Sequence, residues 1–102
     1  MHKLMIFLVV LAGILAIWSA PGIAADRHNG RAIYELHCIG CHGEFGQPAD
    51  PTIPSFANGD GLFRMDSELL DRIRSGNQVM PAFRGLLSDQ EIRDVISYLR
   101  TL

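Results

Sequence analysis

A chain of 102 residues with a formal charge of −2 has room for one small domain and lacks the positive surplus that binding nucleic acid or anionic lipid demands. Its two cysteines, Cys38 and Cys41, are too few for a disulfide framework, and no repeat or low-complexity tract suggests a solenoid or a disordered chain.

The chain opens on Met1-His2-Lys3, and Leu4 to Trp18 is then an unbroken run of 15 apolar or glycine residues. Ser19 to Ala25 brings small residues and the Pro21-Gly22 break. That order of basic start, apolar run and small-residue region reads as an export leader over residues 1–24, cut after Ala24 or Ala25. The alternative is an uncleaved membrane anchor, for which a spanning helix needs ~20 apolar residues. Residues 25–102 are the folded domain and lie outside the cytoplasm on either reading, with the periplasm as the expected compartment. Without the leader and its Lys3, eight arginines face eleven acidic residues, a formal charge of −3.

The first predicted helix runs from about Arg27 to His37, with Asp26 as N-cap and Ala32, Ile33, Tyr34 and Leu36 as its apolar side. Gly30 costs such a helix about 1 kcal/mol relative to alanine, which suggests a packing reason for its presence. The helix leads into Cys38-Ile39-Gly40-Cys41-His42. C-x-x-C-H is the mark of a haem attached through two thioethers, with the histidine beneath the iron. A structural zinc site wants four ligands where this motif supplies three, and a redox C-x-x-C belongs near a βαβ pattern that is absent here. With both cysteines consumed, a domain this short needs the haem as part of its core, so the haem-free chain is expected to be largely unfolded.

From Gly43 to Met65, three prolines and four glycines exclude long regular elements, and the segment reads as a loop wrapped on a haem edge. A second helix follows from about Ser67 to Ser75, capped by Asp66 or Ser67 and stopped by Gly76. Leu69, Leu70 and Ile73 share one of its faces. The third helix opens with a capping box, Ser88-Asp89-Gln90-Glu91, stapled by Leu87 and Ile92. Ile92, Val95, Ile96 and Leu99 then keep the spacing of a buried helix face. No stretch alternates as a strand, so the fold class is all-α.

The sixth iron position separates a carrier from a catalyst: a filled site moves electrons, and an open one binds or turns over small molecules. His37 adjoins Cys38 and His28 shares its helix, so neither has a route to the far side of the ring. Met80 lies in a short loop between helices and is followed by Pro81, which fixes the backbone and removes an amide donor. It is the candidate ligand beside His42, with Met65 as the alternative.

These features together resemble a class I (monohaem, bacterial type) cytochrome c over everything after the leader. The resemblance rests on C-x-x-C-H, the Met80-Pro81 loop, and Gly30 and Tyr34 eight and four residues before Cys38. It implies N- and C-terminal helices that cross, with Gly30 and Tyr34 packed against Val95 and Tyr98, a middle helix and long haem-wrapping loops. It also implies one haem c bound through Cys38 and Cys41, with His42 and Met80 as axial ligands. A proline carbonyl then accepts the ligand histidine's Nδ1 proton, from Pro54 or else Pro51. Many relatives set a tryptophan against a haem propionate; here Arg64, Asn77, Gln78 or Arg84 stands in, or each is an ordinary surface side chain. Relatives that dock through lysines find none here.

The function so implied is one-electron transfer, without substrate turnover, between redox protein partners such as a dehydrogenase or membrane complex and a terminal acceptor. Electrons would pass at a haem edge near Cys41, rimmed by apolar residues such as Ile39, Ala82 and Phe83, unless these are ordinary haem-packing residues. The protein is expected to be a monomer, with no nucleic acid partner and membrane contact only if the leader is retained. The alternatives are a haem enzyme or gas sensor with an open sixth site, or an anchored haem subunit of a larger redox complex.

Overall fold

The computed structural model describes residues 2–6 and 23–102. The apolar run and most of the small-residue region of the expected leader lie outside the described residues. Among those described, no helix is long and apolar enough to cross a membrane.

Four α-helices carry the domain: α1 (Arg27–His37), α2 (Ile39–His42), α3 (Asp66–Ser75) and α4 (Asp89–Leu99), with a 3₁₀ turn at Phe56–Asn58. Among the described residues the nearest approach to a sheet is one isolated bridge between Arg84 and Leu87. The fold is all-α.

Helix α1 begins where the Asp26 carboxylate accepts from the amides of His28 (2.9 Å) and Asn29 (3.1 Å), using two donors that no turn of the helix reaches. Its buried stripe is Gly30, Ile33 and Tyr34. Ala32 and Leu36, expected on this side, are exposed instead. At ~100° per residue they fall well off the stripe that Gly30 and Tyr34 define.

That stripe packs on α4. A Cβ at Gly30 would run into the Asp94 carbonyl and stand 2.9 Å from the Val95 nitrogen, so only glycine admits this approach of the two backbones. One turn on, the Tyr34 and Tyr98 rings meet at 5.3 Å and 59°, a tilted pairing worth ~0.5–1.5 kcal/mol beyond the area buried. Beside them lies a charge that sequence reading overlooked. Asp94 is only 4% exposed. It accepts from the Asp26 amide (2.8 Å), Asn29 Nδ2 (2.9 Å) and Gln90 Nε2 (3.0 Å), so α4 holds the first turn of α1 through one carboxylate. Burial works to raise the Asp94 pKa, but the hydrogen bonds outweigh it and hold the carboxyl below its ordinary value.

Helix α4 starts with the capping box intact: Ser88 Oγ accepts from the Glu91 amide (3.1 Å), and Glu91 Oε1 accepts from the Ser88 amide (3.0 Å). Val95 and Leu99 join Ile33 and Tyr34 in one core cluster, while Ile92 and Ile96 join Leu69 and Leu70 in a second. α4 is therefore the spine, with α1 on one side and α3 on the other.

Helix α3 departs from expectation at its start. Met65 is its N-cap and no side chain caps it. The Asp66 carboxylate is instead engaged by Arg100, which also donates to the carbonyls of Leu62 (2.8 Å) and Arg64 (3.0 Å). The end of α4 thus clamps the chain entering α3. The segment 43–65 is likewise folded back on itself. The Gly46 carbonyl accepts from the Ala57 amide (3.1 Å) and Ser55 Oγ (3.2 Å), and the Ser55 amide donates to Asp60 (3.0 Å).

Candidate haem site

Between the four helices, the loop 43–65 and the shorter Met80 loop lies a cavity of about 630 Å³, within the ~300–1,000 Å³ of cofactor sites. Its wall is largely apolar, and Cys38, Cys41, His42 and Met80 all lie on it. C-x-x-C-H forms a helical turn of its own, with the amides of Cys41 and His42 bonded to the Cys38 carbonyl at 3.3 and 2.9 Å. A single turn is what presents both thiols and the imidazole to one space.

His42 is held from two sides. Its Nδ1 faces the Pro54 carbonyl at 3.4 Å, a long contact for an N–H donor. Its ring also stacks on Phe56, with centroids 4.5 Å apart and planes 21° from parallel. Burial pushes the imidazole pKa below its ordinary value while the Pro54 contact works the other way. A neutral ring that donates from Nδ1 to Pro54 has Nε2 as its lone-pair donor. Pro51 lies on the same wall, but no hydrogen bond joins it to His42. Burial, with the neighbouring Cys41, raises the Cys38 thiol to about 11. Tyr34, whose hydroxyl donates to the Gly43 carbonyl at 2.6 Å, ties α1 to the residue after the motif.

Met80 reaches the cavity through the loop that follows α3. Gly76 ends the helix at φ +64°, and a Cβ there would meet the Met80 oxygen at 2.6 Å. After Pro81, the amides of Phe83 and Arg84 donate to the carbonyls of Ile73 and Arg74, both at 3.1 Å, which fastens the loop to the end of α3. Met65 is 73% exposed and off the cavity wall, as is His28. His37 is on the wall, with its ring edge to Phe83 at 5.9 Å.

Of the four polar candidates, Arg64 and Asn77 lie on the wall, whereas Gln78 and Arg84 do not. The Asn77 oxygen is already engaged by loop amides. Arg72, not anticipated, joins Arg64 on the wall; both reach Glu68, and the i, i+4 spacing of Glu68 and Arg72 was the available signal. The three rim candidates separate, and Phe83 follows the haem-packing alternative. Phe83 is buried in the wall, and Ile39 and Ala82 are off it, while Phe63 and Val79 stand at the mouth 82% and 83% exposed. A neutral imidazole, a thioether and two thiols around an apolar space are a donor set that fits an iron porphyrin.

Residues 25–99 match the family model described as cytochrome C oxidase, cbb3-type, subunit III. The chain is 31% identical over 101 residues to cytochrome c6 of Nostoc sp. (strain PCC 7120 / SAG 25.82 / UTEX 2576), covering 92% of this chain and 89% of that one. Cytochrome c6 of Picosynechococcus sp. (strain ATCC 27264 / PCC 7002 / PR-6) is 31% identical over 109 residues, covering 97% and 92%. Among solved structures, the KustC0563 c-type cytochrome superposes with a TM-score of 0.62 at 26% identity, over 71% of this chain and 94% of that one. Cytochrome c6 from the diatom Phaeodactylum tricornutum gives 0.58 at 25%, over 76% and 93%. The chain belongs to the cytochrome c family, as a monohaem class I member. It is a small electron carrier with one covalently bound haem c.

Proposed function

We propose that Cys38 and Cys41 are the thioether attachment points, that His42 and Met80 are the axial ligands, and that the protein transfers single electrons without turning over a substrate. A haem held there would supply one-electron chemistry through its ferric and ferrous states. The observation that carries the ligand assignment is that Met80 shares one cavity wall with Cys38, Cys41 and His42. Met65, the alternative thioether, faces solvent.

The protein's own residues do the rest. The Pro54 carbonyl and the Phe56 ring orient the His42 imidazole. A thioether donor favours the softer ferrous state, and the apolar wall disfavours added charge, so both raise the reduction potential. Arg64 and Arg72 supply positive charge for the haem carboxylates. Phe63 and Val79, exposed at the mouth, form the apolar contact through which redox protein partners exchange electrons. The domain acts as a monomer in the periplasm after removal of residues 1–24, and mass spectrometry of the exported protein reads the new N-terminus directly.

The decisive experiment is an optical spectrum of the ferric protein. The wild type is expected to show the weak far-red sulfur-to-iron band, and Met80→Ala is expected to lose it and to bind CO rapidly when reduced. Rapid CO binding by the wild type would instead support an enzyme or gas sensor with an open sixth position.

A further inference from the structure

We propose that Asn77 is the positioning residue for Met80, acting through its side-chain oxygen on the loop backbone and not on a haem propionate. The inference rests on Met80 being an axial ligand. Asn77 Oδ1 accepts from the amides of both Val79 and Met80 at 2.9 Å, and the Asn77 amide donates to the Met80 carbonyl at 2.9 Å. Three hydrogen bonds from one residue therefore close a ring on Met80 and fix both of its peptide planes. The other side of the loop is closed by Gly76, whose α-carbon stands so near that a Cβ would lie 2.7 Å from both Pro81 C and Ala82 N.

A methionine side chain has three rotatable bonds and a weak donor sulfur, so it is a poor ligand unless its backbone is already placed. Pro81 fixes the residue after Met80, and the Asn77 oxygen fixes the two peptide nitrogens at and before it. Short polar side chains that accept from amides two and three residues on suit this task, and asparagine is among the best of them. Val79, held by its amide, is left with its side chain exposed at the cavity mouth.

The test is made on the ferric holoprotein with Asn77→Ala and Asn77→Asp, using imidazole as the competing ligand and the far-red band as the readout. Asn77→Ala removes both acceptor contacts and is expected to raise the apparent affinity for imidazole about tenfold, equivalent to about 1.4 kcal/mol. Asn77→Asp keeps an acceptor oxygen at the same place and is expected to restore near wild-type affinity and band intensity. A propionate role predicts the reverse, because a carboxylate there repels the propionate and makes Asp the worse of the two. Wild-type behaviour of Asn77→Ala, or a larger loss in Asn77→Asp than in Asn77→Ala, overturns the proposal while leaving Met80 as ligand. A wild type without the band, or a Met80→Ala variant that keeps it, overturns both readings together.

Discussion

Replacing Gly30 with alanine should destabilise the domain, against the ordinary rule for helices. In an isolated helix the change is favourable by about 1 kcal/mol. Here the new methyl would occupy the place of the Asp94 carbonyl, and the neighbouring Val95 nitrogen is only 2.9 Å away. Those atoms belong to the backbone of α4, so no rotamer change relieves the contact and the helices must part. Overpacking of this kind costs about 1–3 kcal/mol. Separation also stretches the bonds that join Asp94 to Asp26 and Asn29, and hydrogen bonds to a charged group contribute about 1.5–3 kcal/mol. Set against the gain in propensity, the net loss is about 1.5–5 kcal/mol. Urea unfolding of the holoprotein, followed by far-ultraviolet circular dichroism, measures it as a lower midpoint at unchanged slope. A Gly30→Ala protein as stable as the wild type would refute the close crossing of α1 and α4.

Asp94 carries an acid-sensitive part of the stability. Its folded pKa lies below the ordinary value, so its contribution is fully present above about pH 4–5 and is lost as pH falls through the folded value. Asp94→Asn should therefore be less stable at neutral pH yet flatter in stability below about pH 4, and an acid limb as steep as the wild type's would contradict this. The haem should be needed for folding: a Cys38→Ala/Cys41→Ala chain produced without haem is expected to show little helix by circular dichroism, and native-like helicity would sink the idea. Arg100→Met removes the three-point hold on the chain entering α3, and should lower stability by about 1–3 kcal/mol while the far-red band persists.

Much of this protein was legible in local signals. Asp26 and Ser88 mark where α1 and α4 begin, because a side-chain oxygen that caps a helix needs only its own next three residues. The buried face of α4 followed from spacing alone, and the five residues of C-x-x-C-H carry their chemistry in one turn. The start of α3 was misread because the best local cap, Asp66, is claimed by Arg100 from the far end of the domain. Leu36 was misplaced because periodicity alone does not say which flank of an apolar arc meets a neighbour.

By itself the sequence determined the haem motif, the helices and the order in which they come, since each depends on contacts within a few residues. Only the tertiary structure decided what stands around the cofactor. It placed Met80 on the cavity wall, left Met65 in solvent, and added Phe56 and Arg72. It also explained Gly30 in full, by setting the backbone of α4 where a side chain would have been. These outcomes depend on residues far apart in the chain sharing one space, and such proximity exists only once the helices have crossed.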